Sequence, residues 1–495
     1  MSDIVVEFGD DVHMKVICER GLAKEISEYF TFTVPGHKYM PSYKSKHWDG
    51  TIKLYNMFSQ TLYRGLLDYL INFAKERKYT ISVPNIIKND YKKEDVEKYI
   101  TEHLQPQAMG SDIKAFPHQI DAVAHALNEK RCLLLSPTGS GKSLIIYSLV
   151  RYYLDKIPKD KKILVVVPTV SLVSQMYSDF VDYSKKNRWK VDSKCHCLFA
   201  GRSKDTAKRV VITTWQSIYK LPEKYFKDFS AVFGDECHLF KAKSLTSIMS
   251  KLKNCPYRIG TTGTLDEVQV HKLVIEGLFG PVYRVTTTTE LINQKMLSNL
   301  EIDCLLLQYN DKIKEQVKRA KYQDEMDWLI ANEKRNDFIS ELSVRLKGNT
   351  LILFQFVEKH GKVLHSIVKD KAKDRKVFFV HGGTDVEIRE QIRHIVEEED
   401  NAIIIASYGT FSTGISIRRL HNIIFASPSK SRVRILQSIG RQLRKSEKKD
   451  LAKLYDIGDD LHWKSWKNHT LRHFIERIKI YKSENFQYNV HKITI

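Results

Sequence analysis

The sequence is poor in proline and cysteine. Twelve prolines and seven cysteines are spread over 495 residues. So few cysteines, odd in number, exclude a disulfide scaffold, and reduced thiols are expected. With only 22 glycines beside those prolines, collagen-like and low-complexity chains are excluded too. No apolar run approaches the roughly 18 residues of a membrane-spanning helix, so no membrane segment is expected. The first residues, Met1-Ser2-Asp3-Ile4-Val5-Val6-Glu7, lack a basic-then-apolar signal. A cytoplasmic location is therefore expected. No short-period repeat is visible. Acidic residues are the minority among charges, 59 against 80 Lys and Arg, for a net charge of +21. Such an excess attracts polyanions, most often nucleic acid. A generally basic soluble protein would share it, and charge alone says nothing about chemistry.

The remaining composition is globular, with 42% hydrophobic and 28% charged residues. The chain is too long for one hydrophobic core, and length alone predicts about three domains. Texture divides it at residues 1–105, 106–285, 286–460 and 461–495. In the first part Ile4, Val6 and Phe8 alternate as in a half-buried strand, and a second strand is expected over residues 12–18. Leu66, Tyr69, Leu70 and Phe73 share one face of a helix expected over residues 65–78. Between them, residues 36–50 interleave lysines with aromatics. Lys44 and Lys46 can meet phosphates, and Trp48 can stack on bases. Inward packing of the same aromatics is an equal alternative.

A polar stretch with Pro106, Gly110 and Ser111 reads as a linker. Beyond it, short apolar runs alternate with helical patterns. Residues 132–135, 163–167, 210–213, 231–233 and 258–260 form one set of strands. Residues 351–356, 377–380, 402–406 and 423–426 form another. Continuous apolar strands separated by helices predict parallel sheets covered on both faces, hence two α/β lobes. The last part, with Trp463, Trp466, Phe474, Ile478 and Tyr481 among basic residues, reads as an amphipathic helix.

Three motifs carry chemistry. Ser136-Pro137-Thr138-Gly139-Ser140-Gly141-Lys142-Ser143 lies between a strand and a helix, the context a phosphate loop requires. Its glycines let backbone N–H groups close around phosphate oxygens. Lys142 can reach the β- and γ-phosphates of ATP, and the Ser143 hydroxyl can ligate Mg²⁺. Ser136 stands where glycine is usual. Asp235-Glu236-Cys237-His238 follows the apolar run 231–233, so Asp235 can hold Mg²⁺ and Glu236 can polarise the attacking water. Far downstream, Gln437-Ser438-Ile439-Gly440-Arg441-Gln442-Leu443-Arg444 spaces two arginines three apart. A helix would present them on one face, where they could stabilise charge during phosphoryl transfer.

In this order, the motifs resemble those of superfamily-2 helicases, which have two RecA-like lobes. The resemblance covers residues 112–460. It implies that Gln119, in Phe116-Pro117-His118-Gln119, reads adenine, although the Arg and Tyr often found before it are absent. Val167 to Gln175, with Pro168 and Thr169, and Thr213-Thr214-Trp215-Gln216-Ser217 resemble first-lobe strand-contact motifs. Thr262-Gly263-Thr264 resembles the motif that couples hydrolysis to movement. Phe354-Gln355-Phe356, His381-Gly382 and the segment from Thr410 through Gly414 to Ser416 resemble second-lobe motifs. They imply nucleic-acid contacts at His381 and Thr410 and nucleotide proximity at Gly414. Ser416 occupies a position where an acidic or amide residue is common.

Trp48-Asp49-Gly50, Asn332-Glu333-Lys334-Arg335-Asn336, Ala406 to Gly414 and the basic tail extend the likeness to the UvsW family of tailed-bacteriophage recombination and repair helicases. That likeness implies an ATP- and Mg²⁺-dependent enzyme in the bacterial host cytoplasm. It would unwind or branch-migrate forks, junctions and R-loops, with single-stranded DNA and RNA–DNA hybrids among its ligands. Phage recombination or single-strand-binding proteins would be its partners. ATP would lie between the lobes, facing Arg441 and Arg444. Two alternatives remain open. One is an RNA helicase of the DEAD-box kind, disfavoured by Asp-Glu-Cys-His and Thr-Gly-Thr. The other is an ATP-gated clamp or annealing protein that never separates strands. A zinc module at Cys195-His196-Cys197 lacks a second ligand pair.

Overall fold

The computed structural model describes residues 2–108, 110–199, 201–265, 268–414, 417, 419–444 and 449–495. The chain divides into two compact units. One comprises residues 1–136 and 140–286; the other comprises 287–495 with 137–139.

The first unit begins with a four-stranded sheet in the order Thr61–Tyr63, His13–Cys18, Ile4–Phe8, Ile81–Ser82. Ile4 and Val6 are buried while Glu7 is exposed, as the alternation predicts. The expected helix runs over Leu67–Glu76 after a single turn at Arg64–Leu66. A second helix, Arg20–Tyr29, buries Leu22, Ala23 and Ile26. A two-stranded ribbon, Thr31–Thr33 with Thr51–Lys53, flanks the basic-aromatic loop.

This small α+β domain is packed tightly against the first α/β lobe. The two share one continuous hydrophobic core. Gly65 lies so close to the helix Gln269–Phe279 that a Cβ would meet the Glu276 carbonyl oxygen at 2.0 Å. Gly277 of that helix likewise leaves no room against Tyr63. Tyr69 Oη donates to Glu276 Oε2 at 2.7 Å. Arg131 donates to the Asp11 carbonyl at 2.6 Å. The boundary expected at residue 105 falls inside the lobe. Val96, Ile100 and Leu104 sit on the helical segment over residues 93–104 and bury in the lobe's core beside Ala115 and Ile120. The charged residues around them read as surface and hid that apolar stripe.

The lobe's sheet has seven strands, all parallel. Their order is Cys195–Leu198, Val210–Thr214, Lys162–Val167, Phe229–Gly234, Tyr257–Thr262, Arg131–Leu135, Val282–Arg284. The central strands are fully buried because cores cover both faces, as parallel sheets require.

The second unit holds another seven-stranded parallel sheet. Its order is Val377–Val380, Ile403–Ser407, Thr350–Phe354, Asn422–Phe425, Leu451–Asp460, Asn299–Gln308, Tyr488–Thr494. The last part of the chain is helical over His469–Ser483, as expected, but then supplies an edge strand. Tyr488–Thr494 is largely exposed and carries His491 and Lys492, so its polarity masked its pairing. The helix is bound to the sheet through buried charge. Arg477, 1% exposed, donates to the Asp456 carboxylate at 2.8 Å and to the Ser429 and Ile457 carbonyls. Tyr481 donates to the same carboxylate at 2.8 Å. Arg335, from the Asn332–Asn336 motif, pairs with Asp459 at 2.8 Å, both fully buried.

Removing one partner of such a pair strands a buried charge, at about 3–5 kcal/mol. Arg477→Ala should therefore destabilise the second unit by that order, measured by denaturant unfolding. Arg472→Ala, an exposed residue on the same helix, should change stability by less than about 0.5 kcal/mol.

Candidate nucleotide and nucleic-acid site

Parallel strands all end at one edge of the sheet, so the loops that follow them gather there. In the first lobe, Leu135 is in register with Thr262, Gly234 with Val166, and Val167 with Thr214. The phosphate loop, Asp235, Pro168 and Trp215 consequently all emerge at the same carboxyl edge. Motifs separated by up to about a hundred residues of sequence become neighbours through register alone.

The phosphate loop follows the strand Arg131–Leu135 and leads into the helix Lys142–Lys156. Gly139 and Gly141 have φ of +89° and +79°, left-handed values that L side chains rarely adopt. At Gly141 there is also no room, since a Cβ would meet Gln119 Nε2 at 2.1 Å. Gln119 is buried, and both ends of its amide are engaged. Its Oε1 accepts from Phe116 N–H at 2.9 Å, and its Nε2 donates to the Ser140 carbonyl at 3.0 Å. His118 Nε2 lies 3.0 Å from the same carbonyl. Ser136, the departure from glycine, is fully buried and pairs its hydroxyl with that of Ser140 at 2.5 Å. A serine there ties the loop's ends together. Lys142 Nζ donates to the Ser136 carbonyl at 3.2 Å. Ser143 Oγ lies 2.9 Å from Tyr183 Oη.

Asp235 is half-buried, and desolvation raises its carboxyl above the ordinary value. The Glu236 charge raises it further, while Lys142 opposes both. Asp235 Oδ1 accepts from Thr261 Oγ1 at 2.8 Å and from Glu236 N–H at 2.9 Å. Glu236 adopts φ +51°, a strained value for a non-glycine residue that recurs at functional sites. His238 Nδ1 is 3.3 Å from Glu236 Oε2 and 3.1 Å from Thr262 Oγ1. The Thr262 carbonyl accepts from Ser136 N–H at 2.8 Å. A continuous polar chain thus runs from the acidic motif through His238 and Thr262 to the phosphate loop. His118, Tyr183, Thr261 and this use of His238 were not foreseen in the sequence. Each acts through a partner distant in sequence.

The strand-contact candidates differ in accessibility. Pro168 and Thr169 are half-buried, and Thr169 caps the helix Val170–Tyr183 by accepting from Leu172 N–H at 3.3 Å. Gln216 is exposed and Trp215 half-buried, but Thr213 is fully buried. Its hydroxyl donates to the Thr214 carbonyl at 3.1 Å. In the basic-aromatic loop, Lys44 and Lys46 are exposed. Trp48 is half-buried and donates to the Thr51 carbonyl at 2.7 Å, anchoring the loop.

In the second unit, His381 and Thr410 follow neighbouring strands at that sheet's carboxyl edge. His381 Nδ1 accepts from Gly383 N–H at 3.1 Å. Thr410 is buried, with its hydroxyl 2.8 Å from Ser407 Oγ. Gly414 ends the helix Tyr408–Gly414; Ile415 and Ser416 lie outside the described residues. Arg441 lies on the helix Arg432–Gln442. The single helical face expected for both arginines does not form. The helix stops at Gln442, and Arg444 forms an isolated bridge with Leu297. The cause is local. Lys449 donates to the Gln442 carbonyl, and the Gln442 side chain turns to the His421 and Lys453 carbonyls at 2.9 and 2.8 Å.

Comparison with known proteins follows the same division. Residues 3–84 match the family described as DNA helicase UvsW, N-terminal. Residues 112–267 match the type III restriction enzyme res subunit, and 333–446 the helicase conserved C-terminal domain. The chain is 33% identical over 505 aligned residues to the ATP-dependent DNA helicase UvsW of Enterobacteria phage T4, covering 98% of each. The crystal structure of T4 UvsW matches with 32% identity and a TM-score of 0.53 over 99% of both chains. A putative HsdR subunit of a type I restriction enzyme from Vibrio vulnificus matches at 16% identity and a TM-score of 0.57. That match covers 81% of this chain and 72% of that one, and the likeness is one of fold.

The crowding at Gly141 yields a test. Gly141→Ala should destabilise the chain by about 1–3 kcal/mol, the cost of a side chain at a strained φ, with the Gln119 contact added. Gly141→Ala combined with Gln119→Ala should recover the contact part and leave the φ part, in denaturant unfolding.

Proposed function

Because the chain belongs to the UvsW family of superfamily-2 DNA helicases, we propose that it spends ATP to unwind or branch-migrate forked and junction DNA. One observation supports this most directly. The phosphate loop and the Asp235-Glu236 pair are tied to one sheet edge, Ser136 N–H donating to the Thr262 carbonyl and Thr261 Oγ1 to Asp235 Oδ1, each at 2.8 Å, as a phosphate-cleaving site needs.

In this reading, ATP phosphates lie against the N–H groups of residues 139–143, and the two left-handed glycines turn those donors toward one point. Lys142 neutralises the β- and γ-phosphates. Glu236 takes the proton of the attacking water, and His238 holds its carboxylate in place. Arg441 and Arg444 supply positive charge to the departing phosphoryl group. Thr262 links hydrolysis to the strand-contact segments through its ties to His238 and Ser136.

The donor set suits Mg²⁺. A half-buried carboxylate whose charge is disfavoured by desolvation and by Glu236 is matched to a cation, and the Ser143 hydroxyl provides a second oxygen. Among the described residues no cluster of three or more His, Cys, Asp or Glu could hold a metal by itself. Mg²⁺ is ordinarily held by one or two carboxylates together with substrate phosphates. When bound, the ion would neutralise charge on the β- and γ-phosphate oxygens.

DNA contacts made through lysines and backbone would be salt-dependent and weakly sequence-specific. Lys44 and Lys46 would meet duplex phosphates near a branch. Host cytoplasm is the matching location. Thr213 and Thr410, both buried, would act through the segments they hold rather than by touching the strand.

Glu236→Gln should bind ATP yet lower turnover by about 10²–10⁴-fold, the usual worth of a general base. Arg444→Ala should lower kcat for ATP by about 10³-fold or more with little change in KM. Turnover by the parent should be compared with forked DNA, linear single strands and RNA. Strongest stimulation by forked DNA is expected, and stimulation by RNA alone would redirect the assignment.

A further inference from the structure

The N-terminal domain carries one feature outside every motif above. Between the ribbon strand Thr51–Lys53 and the sheet strand Thr61–Tyr63 the chain turns through Asn56-Met57-Phe58-Ser59-Gln60-Thr61. Phe58 at its tip is fully exposed, the most exposed large hydrophobic side chain among the described residues. Met57 beside it is partly exposed. Single apolar residues on a surface ordinarily need no explanation. This one differs because the turn is built to hold it outward.

Asn56 and Thr61 exchange two backbone hydrogen bonds, at 2.9 and 3.1 Å. The Asn56 side-chain oxygen accepts from both Phe58 N–H and Ser59 N–H, at 2.9 and 3.2 Å. Ser59 Oγ lies 2.7 Å from Thr61 Oγ1. Gln60 takes the left-handed φ of +53° that closes such a turn. The backbone donors of Phe58, Ser59 and Thr61 are thus satisfied within the turn itself. Those bonds fix the backbone that carries Phe58 at the tip of the turn.

The base of the turn is equally fixed. Thr61 is in register with Lys15 on the next strand, and Lys15 is exposed. Lys53, also exposed, ends the ribbon strand that leads into the turn. The following residues pass directly into the contact that binds this domain to the first lobe, Gly65 against Glu276 and Gly277 against Tyr63. A flat apolar face is thereby coupled rigidly to the lobe that holds the phosphate loop, with cations at its base.

We propose that Phe58 is a nucleobase-stacking tip that bears on the exposed base pair at a DNA branch point. Its ligand is the π-face of a terminal or unpaired base, and Lys15 and Lys53 meet the flanking phosphates. A base stacked on an aromatic face needs no sequence-specific hydrogen bond, which suits an enzyme acting on branches of any sequence. Rigidity is what makes the contact useful, because only a tip that does not yield can hold two strands apart as the lobe moves. This rests on the branched-DNA reading above and assigns the residue that would touch the branch.

The test uses the full-length chain with forked and linear single-stranded DNA. Three variants are compared with the parent: Phe58→Ala, Phe58→Trp and Ile87→Ala, the last an exposed residue of the same compact unit outside the turn. The readout is the ratio of forked-duplex unwinding to ATP turnover on linear DNA. Phe58→Ala should lower that ratio about tenfold, the worth of one base–aromatic stack. Its unfolding midpoint should be that of the parent, since the side chain buries nothing. Phe58→Trp keeps a flat face, so it should retain the ratio, and its added indole emission should be quenched by forked DNA. Ile87→Ala should match the parent. A parental ratio in Phe58→Ala would overturn the proposal while leaving the helicase reading intact. So would an equal loss in Ile87→Ala, or failure of Phe58→Trp to retain the ratio. A parent that turns over ATP but separates no fork would overturn both.

Discussion

A parallel sheet whose two faces are buried leaves one productive place for chemistry, its carboxyl edge. Most features of this chain follow from that constraint. Helices and cores cover both faces of each seven-stranded sheet, so strand side chains are committed to packing. The loops that leave the carboxyl ends are not. In the first lobe these are the phosphate loop, Pro168-Thr169, Trp215-Gln216, Asp235-Glu236 and Thr262 to Thr264. Register holds them together, so their relative positions are as rigid as the sheet. The polar chain from Glu236 through His238 and Thr262 to Ser136 is then a short path across neighbouring loops. On the function proposed above, hydrolysis and strand contact would be coupled along that path without any long-range device.

Much of this was legible in the sequence because the physics is local. Apolar runs of three to six residues with helical spacers announce buried parallel strands, and all nine runs singled out fall on strands. Gly-Ser-Gly-Lys-Ser calls for a tight glycine turn between strand and helix, and Gly139 and Gly141 take left-handed φ there. What escaped were relations between distant residues. Gln119 carries no sequence sign that its amide would fasten Ser140, and Tyr183 none that it would reach Ser143. The end of the arginine helix also escaped. Arg441 and Arg444 have helical spacing, but the helix ends at Gln442, whose carbonyl and side chain engage Lys449, His421 and Lys453. The edge strand Tyr488–Thr494 reads as a polar tail because one of its sides faces solvent, and only its register with residues 302–308 reveals it.

The N-terminal domain extends the same economy. Its small sheet could not bury enough surface alone to be very stable. It shares a core with the first lobe, closed by glycines that let two backbones approach. Anything the domain touches is therefore mechanically part of that lobe. Buried ion pairs do comparable work in the second unit, where Arg477–Asp456 and Arg335–Asp459 fasten helices to one strand. Such pairs cost desolvation but tolerate no substitute geometry, which fixes the elements in register.

The central claim is that residues 139–143 hold the phosphates of ATP. Backbone hydrogen exchange of the intact chain, with and without a non-hydrolysable ATP analogue, tests it most directly. Exchange at the N–H groups of residues 139–143 should slow when the analogue binds. Unchanged exchange across those residues, with slowing elsewhere in the chain, would contradict the account.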